Sequence, residues 1–219
     1  MKRKRIVLFG AGGHAKVVLD ILDRMGAYEV VGLLDDNAEL VDTIRNGYHV
    51  LGGQEKLSSL LHDGIEQMIV ALGDNRQRKR VYDAAKRLGF TFCSAIHPSA
   101  QVGSNVTIGE GALLVAGVIV NIDACIGDNV IVNTGTSVDH DCRIEAHVHL
   151  SPGVHLAGRV TVGESTHVGI GAVILPSVVV GKNCIVGAGS VVREHVPSGM
   201  IVAGNPAKII RPNEVALGA

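Results

Sequence analysis

From Ile96 to Val192 an aliphatic side chain stands at every sixth position: Ile96, Val102, Ile108, Leu114, Val120, Ile126, Val132, Val138, Ile144, Leu150, Leu156, Val162, Val168, Ile174, Val180, Val186, Val192. A second small side chain follows four residues after each of the first sixteen, from Ala100, Val106 and Ala112 through Thr136 and Cys142 to Cys184 and Ser190. A period of six suits neither an amphipathic helix nor a lone strand. It suits a parallel β-helix built from hexapeptides. Three hexapeptides make one triangular coil, so residues 18 apart in this sequence should stack at the inter-strand spacing of about 4.8 Å. Burying each Val, Leu or Ile contributes about 1.5–3 kcal/mol before chain ordering. No insertion interrupts the period, so no long loop leaves the wall. An active site on such a wall must use side chains of the coil and of a neighbouring subunit.

The chain before the repeat has a different composition. All three Phe (Phe9, Phe90, Phe92) and all three Tyr (Tyr28, Tyr48, Tyr82) precede residue 95. A narrow solenoid has room for branched aliphatics and little for rings, so this shift marks a boundary. We expect an α/β domain over 1–94, the β-helix over 95–198 and a C-terminal extension over 199–219. In the first segment, short strands at 5–10, 29–34, 48–51, 67–72 and 90–93 alternate with helical patterns at 15–25, 54–61 and 76–88. That alternation predicts a parallel sheet with helices on its faces, a small Rossmann-like domain.

The turn Gly10-Ala11-Gly12-Gly13-His14-Ala15 is close to the dinucleotide fingerprint, with Asp35 and Asp36 ending the next strand. Glycines let the backbone approach a phosphate, and the following helix supplies N–H donors and a positive dipole end. Asp35 or Asp36 can accept hydrogen bonds from a ribose or a base. The motif alone fits NAD, a nucleotide-sugar, or a turn with no ligand. A domain under about 100 residues suits one nucleoside diphosphate better than a full dinucleotide site with two mononucleotide halves.

The formal net charge is −1, and the basic run Lys2-Arg3-Lys4-Arg5 reads as a solvated terminus, so neither nucleic acid nor membrane is an expected partner. Gly10 to His14 interrupts the early apolar run, and no segment reaches the length of a membrane span. Four Cys (Cys93, Cys125, Cys142, Cys184) share no metal-ligand spacing and read as reduced structural thiols of a cytoplasmic protein. Five of the ten His fall between 140 and 167. His140 follows the inward Val138 by two residues and should project from the wall between Asp139 and Asp141. A histidine with flanking carboxylates suits a general base, and equally a surface histidine among surface acids. His149 and His167, 18 residues apart, should stack, as one edge of a ligand groove or as a polar ridge. His147, His155 and His195 read as solvated positions.

Taken with Leu34-Asp35-Asp36, Ala71-Leu72-Gly73-Asp74-Asn75-Arg76, Ile96-His97-Pro98-Ser99-Ala100, Val138-Asp139-His140-Asp141-Cys142, His149-Leu150-Ser151-Pro152-Gly153 and Ala203-Gly204-Asn205-Pro206-Ala207-Lys208, the glycine-histidine turn and the hexapeptide repeat carry a resemblance. The chain resembles, over essentially its whole length, the left-handed β-helix sugar acyltransferases that acetylate nucleotide-activated amino sugars. The resemblance implies an acetyl-CoA-dependent N-acetyltransferase acting on a sugar 4-amine in surface glycan biosynthesis, assembled as a homotrimer and needing no metal. It implies that Gly12, Gly13 and His14 line the phosphates and sugar, Asp35 and Asp36 the nucleoside, and Gly53 the same pocket. His140 would be the general base, with Asp141 raising its basicity where some members carry Glu. His149 would meet the thioester region of acetyl-CoA, Ile170 and Ala188 would line the pantetheine groove, and Lys208 would lie near the CoA phosphates. Cys142, an inward residue, should not be a nucleophile. The same family resemblance allows O-acetylation of sialic acid. A zinc hydratase on a similar helix and a non-catalytic nucleotide-sensing trimer are the more distant readings.

Overall fold

The computed structural model describes residues 3–214. The chain divides into two units, Met1–Pro98 and Ser99–Ala219. The first unit runs β1 (Lys4–Phe9), α1 (Gly13–Met25), β2 (Tyr28–Leu34), β3 (Ile44–Arg45), β4 (Tyr48–Gly52), α2 (Leu57–His62), β5 (Gln67–Val70), α3 (Asn75–Leu88) and β6 (Thr91–Phe92). Its sheet has the order β3-β4-β2-β1-β5-β6, parallel except for the β3–β4 hairpin. Side chains alternate across β1, as a strand requires. Val7 and Phe9 join Leu57 and Leu60 of α2 and Val81, Tyr82 and Ala85 of α3 in one buried cluster. Ile6 and Leu8 point to the other side, and α1 buries Ala15, Val18, Leu19, Ile21 and Leu22. Tyr82 stacks on Phe92 with ring centroids 4.0 Å apart.

Three details differ from the sequence expectation. Helix α1 begins at Gly13, with Gly12 as its N-cap, so His14 lies in the first helical turn rather than in a loop. The segment expected as one helix over 54–61 splits into a 3-10 turn, Gln54–Lys56, and the short α2. The β3–β4 hairpin turns through Asn46 (φ 52°) and Gly47 (φ 84°). An Asn-Gly pair with both residues left-handed is the standard two-residue hairpin turn, so the signal was present in the sequence and unread.

The second unit is a left-handed parallel β-helix with two-residue strands and turns between them. Residues 18 apart pair throughout, as in Val120 with Val138, Val138 with Leu156, and Leu150 with Val168. The first face carries Leu113–Leu114, Ile131–Val132, His149–Leu150, His167–Val168 and Ile185–Val186. The second carries Ser137–Val138 and His155–Leu156, and the third Arg143–Ile144 and Thr161–Val162. From Ala112 to Val192 the inward aliphatics are all buried. The inward polar groups find partners inside: Thr136 Oγ1 donates to Ser151 O (3.0 Å), and Thr166 Oγ1 to Gly181 O (2.7 Å). The first coil departs from the inward pattern. Val102 is 42% exposed, because its strand ends its sheet and pairs on one side only.

The coil turns at three edges, each needing a left-handed residue. One edge is glycine in five successive coils, after Ser99 in the first: Gly117, Gly135, Gly153, Gly171 and Gly189, with φ between 65° and 72°. The second is Asn105, Asp123, Asp141, Arg159 and Ser177, and the third Gly111, Asn129, His147, Ser165 and Asn183. Asn, Asp and His are the non-glycine residues most at home in that conformation. After Val192 the period changes. Val186 pairs with Val202, and Ala207–Pro212 returns antiparallel along Met200–Gly204.

Candidate active site

In the α/β unit the sequence-nominated residues converge on the carboxyl ends of four strands. Gly10 follows β1, Asp35 and Asp36 follow β2, Gly53 follows β4, and Ala71 follows β5. Sheet order reverses at β1, and the crevice outside the strand ends at such a switch point is where open α/β sheets bind ligands. Backbone bonds tie the ends together: Gly10 N–H to Leu34 O (2.7 Å), Asp35 N–H to Gly52 O (2.8 Å) and Ala71 N–H to Phe9 O (2.7 Å). Gly10 is glycine by necessity, with φ 117° and a would-be Cβ 2.7 Å from Ala71 O. Gly12 and Gly13 differ, since a Cβ on either would meet nothing within 4 Å. Their bare backbone faces open space at the amino end of α1, the geometry that suits an anion.

Both aspartates build this crevice from within. Asp35 accepts the Ala11 N–H (2.9 Å) on one oxygen and the Asn37 N–H (3.0 Å) on the other. Asp36 accepts from the Gln54 side-chain amide (2.7 Å) and Arg80 (3.1 Å). A side chain on Gly53 would strike Glu55 and Asp36. Sequence reasoning missed Arg78. It is 1% exposed, and its guanidinium donates to Asn75 Oδ1 (2.9 Å) and to Leu72 O (3.3 Å), which shapes the loop after β5. Burial pulls its pKa down to about 9. Burial, aided by the Arg78 charge, lowers His14 to about 4, so its imidazole is neutral at neutral pH.

On the β-helix, His140 and Asp141 occupy the edge between the second and third faces. His140 Nδ1 lies 2.7 Å from Asp141 Oδ2, with both side chains half exposed. A carboxylate only accepts, so in the neutral imidazole this contact places the proton on Nδ1 and the lone pair on Nε2. Asp139 fixes the backbone beneath. One of its oxygens accepts the His140 N–H (2.7 Å) and the Asn121 side-chain amide (2.9 Å), and these bonds hold the Asp139 carboxyl below its ordinary range. Cys142 is turned inward. Burial raises its thiol pKa, and Sγ donates to Ala157 O at 3.2 Å.

His149 lies on the first face and is only 8% exposed. Its ring meets His167 edge-on at 4.9 Å, and His167 Nε2 lies 3.2 Å from Ser151 Oγ. The Asn133 amide oxygen takes the Thr134 N–H (2.8 Å), which turns its NH2 toward His149 Nε2 (3.3 Å). His147, expected to be solvated, is buried, with Nδ1 2.9 Å from Asn129 Nδ2. It occupies a left-handed edge position directly over Asn129, so the ring closes down against the coil. His155 and His195 are exposed. Ile170 is 62% exposed and precedes Gly171; Ala188 is exposed and precedes Gly189. Lys208 is exposed and pairs with Ala203 in the closing hairpin. Ile170 and Ala188 thus line the glycine edge, between the first and second faces, whereas His140 and Asp141 hold the next edge. Within one chain the two groups stand on different edges of the triangle. Among the described residues no group of three His, Cys, Asp or Glu is placed to hold a metal ion, and no helix is long and apolar enough to cross a membrane.

An α/β unit with a phosphate-type crevice, joined to a hexapeptide coil with a histidine-carboxylate pair on its wall, defines a class: the two-part β-helix transferases. Residues 5–85 match the PglD N-terminal domain family, and residues 159–194 match the bacterial transferase hexapeptide family. The UDP-N-acetylbacillosamine N-acetyltransferase of Bacillus subtilis is 38% identical over 118 residues, a match spanning about half (52%) of each chain. A histidine-to-asparagine variant of perosamine N-acetyltransferase from Caulobacter crescentus, solved with CoA and GDP-perosamine, is 43% identical. It matches over 94% of this chain and 96% of that one, with a TM-score of 0.90. The acetyltransferase domain of PglB from Neisseria gonorrhoeae, solved with acetyl coenzyme A, is 37% identical over 95% of this chain and 100% of that one, with a TM-score of 0.87. The chain belongs to the left-handed β-helix, hexapeptide-repeat family of sugar N-acetyltransferases, and it is an acyltransferase.

Proposed function

We propose that this enzyme transfers the acetyl group of acetyl-CoA to the 4-amine of a nucleotide-linked amino sugar, with His140 as general base. The carrying observation is the 2.7 Å contact of His140 Nδ1 with Asp141, which leaves Nε2 as the basic atom on an exposed edge. In this reading the sugar amine attacks the thioester carbonyl directly. Nε2 takes the amine proton as the C–N bond forms, and the imidazolium returns it to the departing CoA sulfur. The products are the N-acetyl sugar and CoA-SH, with no acyl-enzyme. Asp141 orients the ring and stabilises the imidazolium. The buried Cys142 thiol, donating inward, supports direct transfer rather than a thiol nucleophile.

The α/β unit holds the nucleotide-sugar: Gly12, Gly13 and His14 meet the diphosphate and sugar, Asp35 and Asp36 shape the nucleoside end, and Gly53 closes it. Acetyl-CoA lies along the glycine edge past His149, Ile170 and Ala188, with Lys208 toward its phosphates. Because that edge and the His140 edge are distinct on one chain, the site draws them from neighbouring copies of a homotrimer. Solved relatives that hold CoA and GDP-perosamine, and the choice of a histidine as the residue altered in them, support this reading. The free thiols of Cys93, Cys125, Cys142 and Cys184 fit a cytoplasmic enzyme feeding surface glycan synthesis.

The test is a CoA-release assay across UDP-, dTDP- and GDP-linked 4-amino sugars, beside free and CMP-linked sialic acid. One 4-amino sugar nucleotide should be acetylated, and His140→Ala should lower its turnover by about 10²–10⁴-fold, the usual cost of a lost general base. Full turnover in His140→Ala would sink the mechanism. Acetylation of sialic acid alone would transfer the same chemistry to a hydroxyl.

A further inference from the structure

We propose that Gly158 is a positioning residue for the base, leaving open the place on the wall into which the His140 ring fits. This rests on the reading of His140 as the general base. Gly158 is not among the positive-φ residues, so its backbone makes no demand for glycine. The demand comes from the ring. A Cβ on Gly158 would lie 2.5 Å from His140 Nε2, 2.6 Å from Cε1 and 3.2 Å from Cδ2, the three nearest atoms being all imidazole. The Arg159 N–H donates to His140 O at 2.9 Å, which sets this stretch directly against His140 on the adjoining coil.

Other glycines of the coil wall behave differently. Side chains on Gly103, Gly127, Gly163 or Gly169 would strike backbone atoms of the following coil, so those residues serve packing. The positions equivalent to Gly158 on other coils carry side chains: Ser104, Ile122, His140 itself and Pro176. The gap in this column is therefore specific to the coil that receives the imidazole. With Asp141 holding Nδ1 and Gly158 leaving room at the far side, the ring has one direction in which to present Nε2. A methyl at 158 forces the ring off that line and pulls Nδ1 from Asp141, its three closest contacts all being ring atoms.

The experiment is Gly158→Ala, assayed with the nucleotide-linked 4-amino sugar that serves as acceptor and with acetyl-CoA, beside His140→Ala and the double variant. We expect kcat to fall about 10²-fold, the scale of a misplacement near 1 Å, with KM for both substrates and the melting temperature unchanged. The double variant should be no slower than His140→Ala, because Gly158 acts only through that ring. Wild-type kcat in Gly158→Ala, or a raised KM, overturns the proposal. So does a double variant in which the two losses multiply, a comparison that holds even if Gly158→Ala melts early. Full turnover in His140→Ala instead overturns the reading of the base itself, a separate result.

Discussion

At the scale of single residues, backbone conformation and burial decide which side chain can do what. Asp141 sits at φ 59°, a conformation that Asp tolerates better than most residues, and from there its short carboxylate reaches the preceding imidazole. His14 carries the clearest pH signature. Its folded pKa of about 4 lies below the ordinary 6.5, so between these values the unfolded chain binds a proton that the folded chain refuses. Stability from this group is present above pH 6.5 and is lost as pH falls toward 4. In ligand-free protein, the melting temperature should therefore drop from pH 7 to pH 4.5, and His14→Gln should flatten part of that drop. An identical pH slope in the variant would contradict the burial-driven shift. Residue-scale burial was the least legible property in the sequence. Arg78, inside the helical pattern at 76–88, carries no signal that singles it out, and His147 reads as a solvated ring; both are buried. Each is enclosed by neighbours that a one-dimensional pattern does not name, the carbonyls after β5 for Arg78 and Asn129 on the coil below for His147.

At the scale of elements, periodicity carried most of the fold. The six-residue period set face, register and inward residue from Ala112 to Val192, because a stacked coil repeats one environment and each repeat restates it. The α/β unit was legible in order and type, and its errors fell at ends and turns. There, local chemistry such as Asn46-Gly47 or the Gly12 N-cap outweighs apolar spacing. The glycine edge allows a test of backbone conformation alone. Gly135 has φ 66°, and a Cβ there would meet nothing within 4 Å, so the cost of adding that Cβ is conformational. Gly135→Val should lower unfolding free energy by about 1–2 kcal/mol, the penalty for a left-handed L-residue, and Gly135→Asn by less. Equal denaturant midpoints for the two variants would show that the edge is not held left-handed.

At the scale of the whole molecule, the proposed division of labour between edges would make activity a property of the assembly. His140 and Asp141 stand on one edge of the coil, and Ile170 and Ala188 on another. In the proposed function, a site that needs both takes one set from each of two copies. Two inactive variants should therefore complement: His140→Ala and Ala188→Trp, mixed in equal amounts and reassembled, should recover activity in about one quarter of the sites of a cyclic trimer. No recovery in verified mixed trimers would mean that a single chain supplies the whole site. The unbroken stacking also gives the wall a property that ordinary enzymes lack. Its positions are graduated like a ruler, one mark per coil at about 4.8 Å, and each mark is cut from the same three edges. Duplicating a whole coil beyond Ala188 would lengthen the molecule without rotating His140 or disturbing its neighbours, whereas adding one residue anywhere would turn every later side chain off its face. Such a chain can grow or shrink in only one currency, the complete turn, and its chemistry stays where it was.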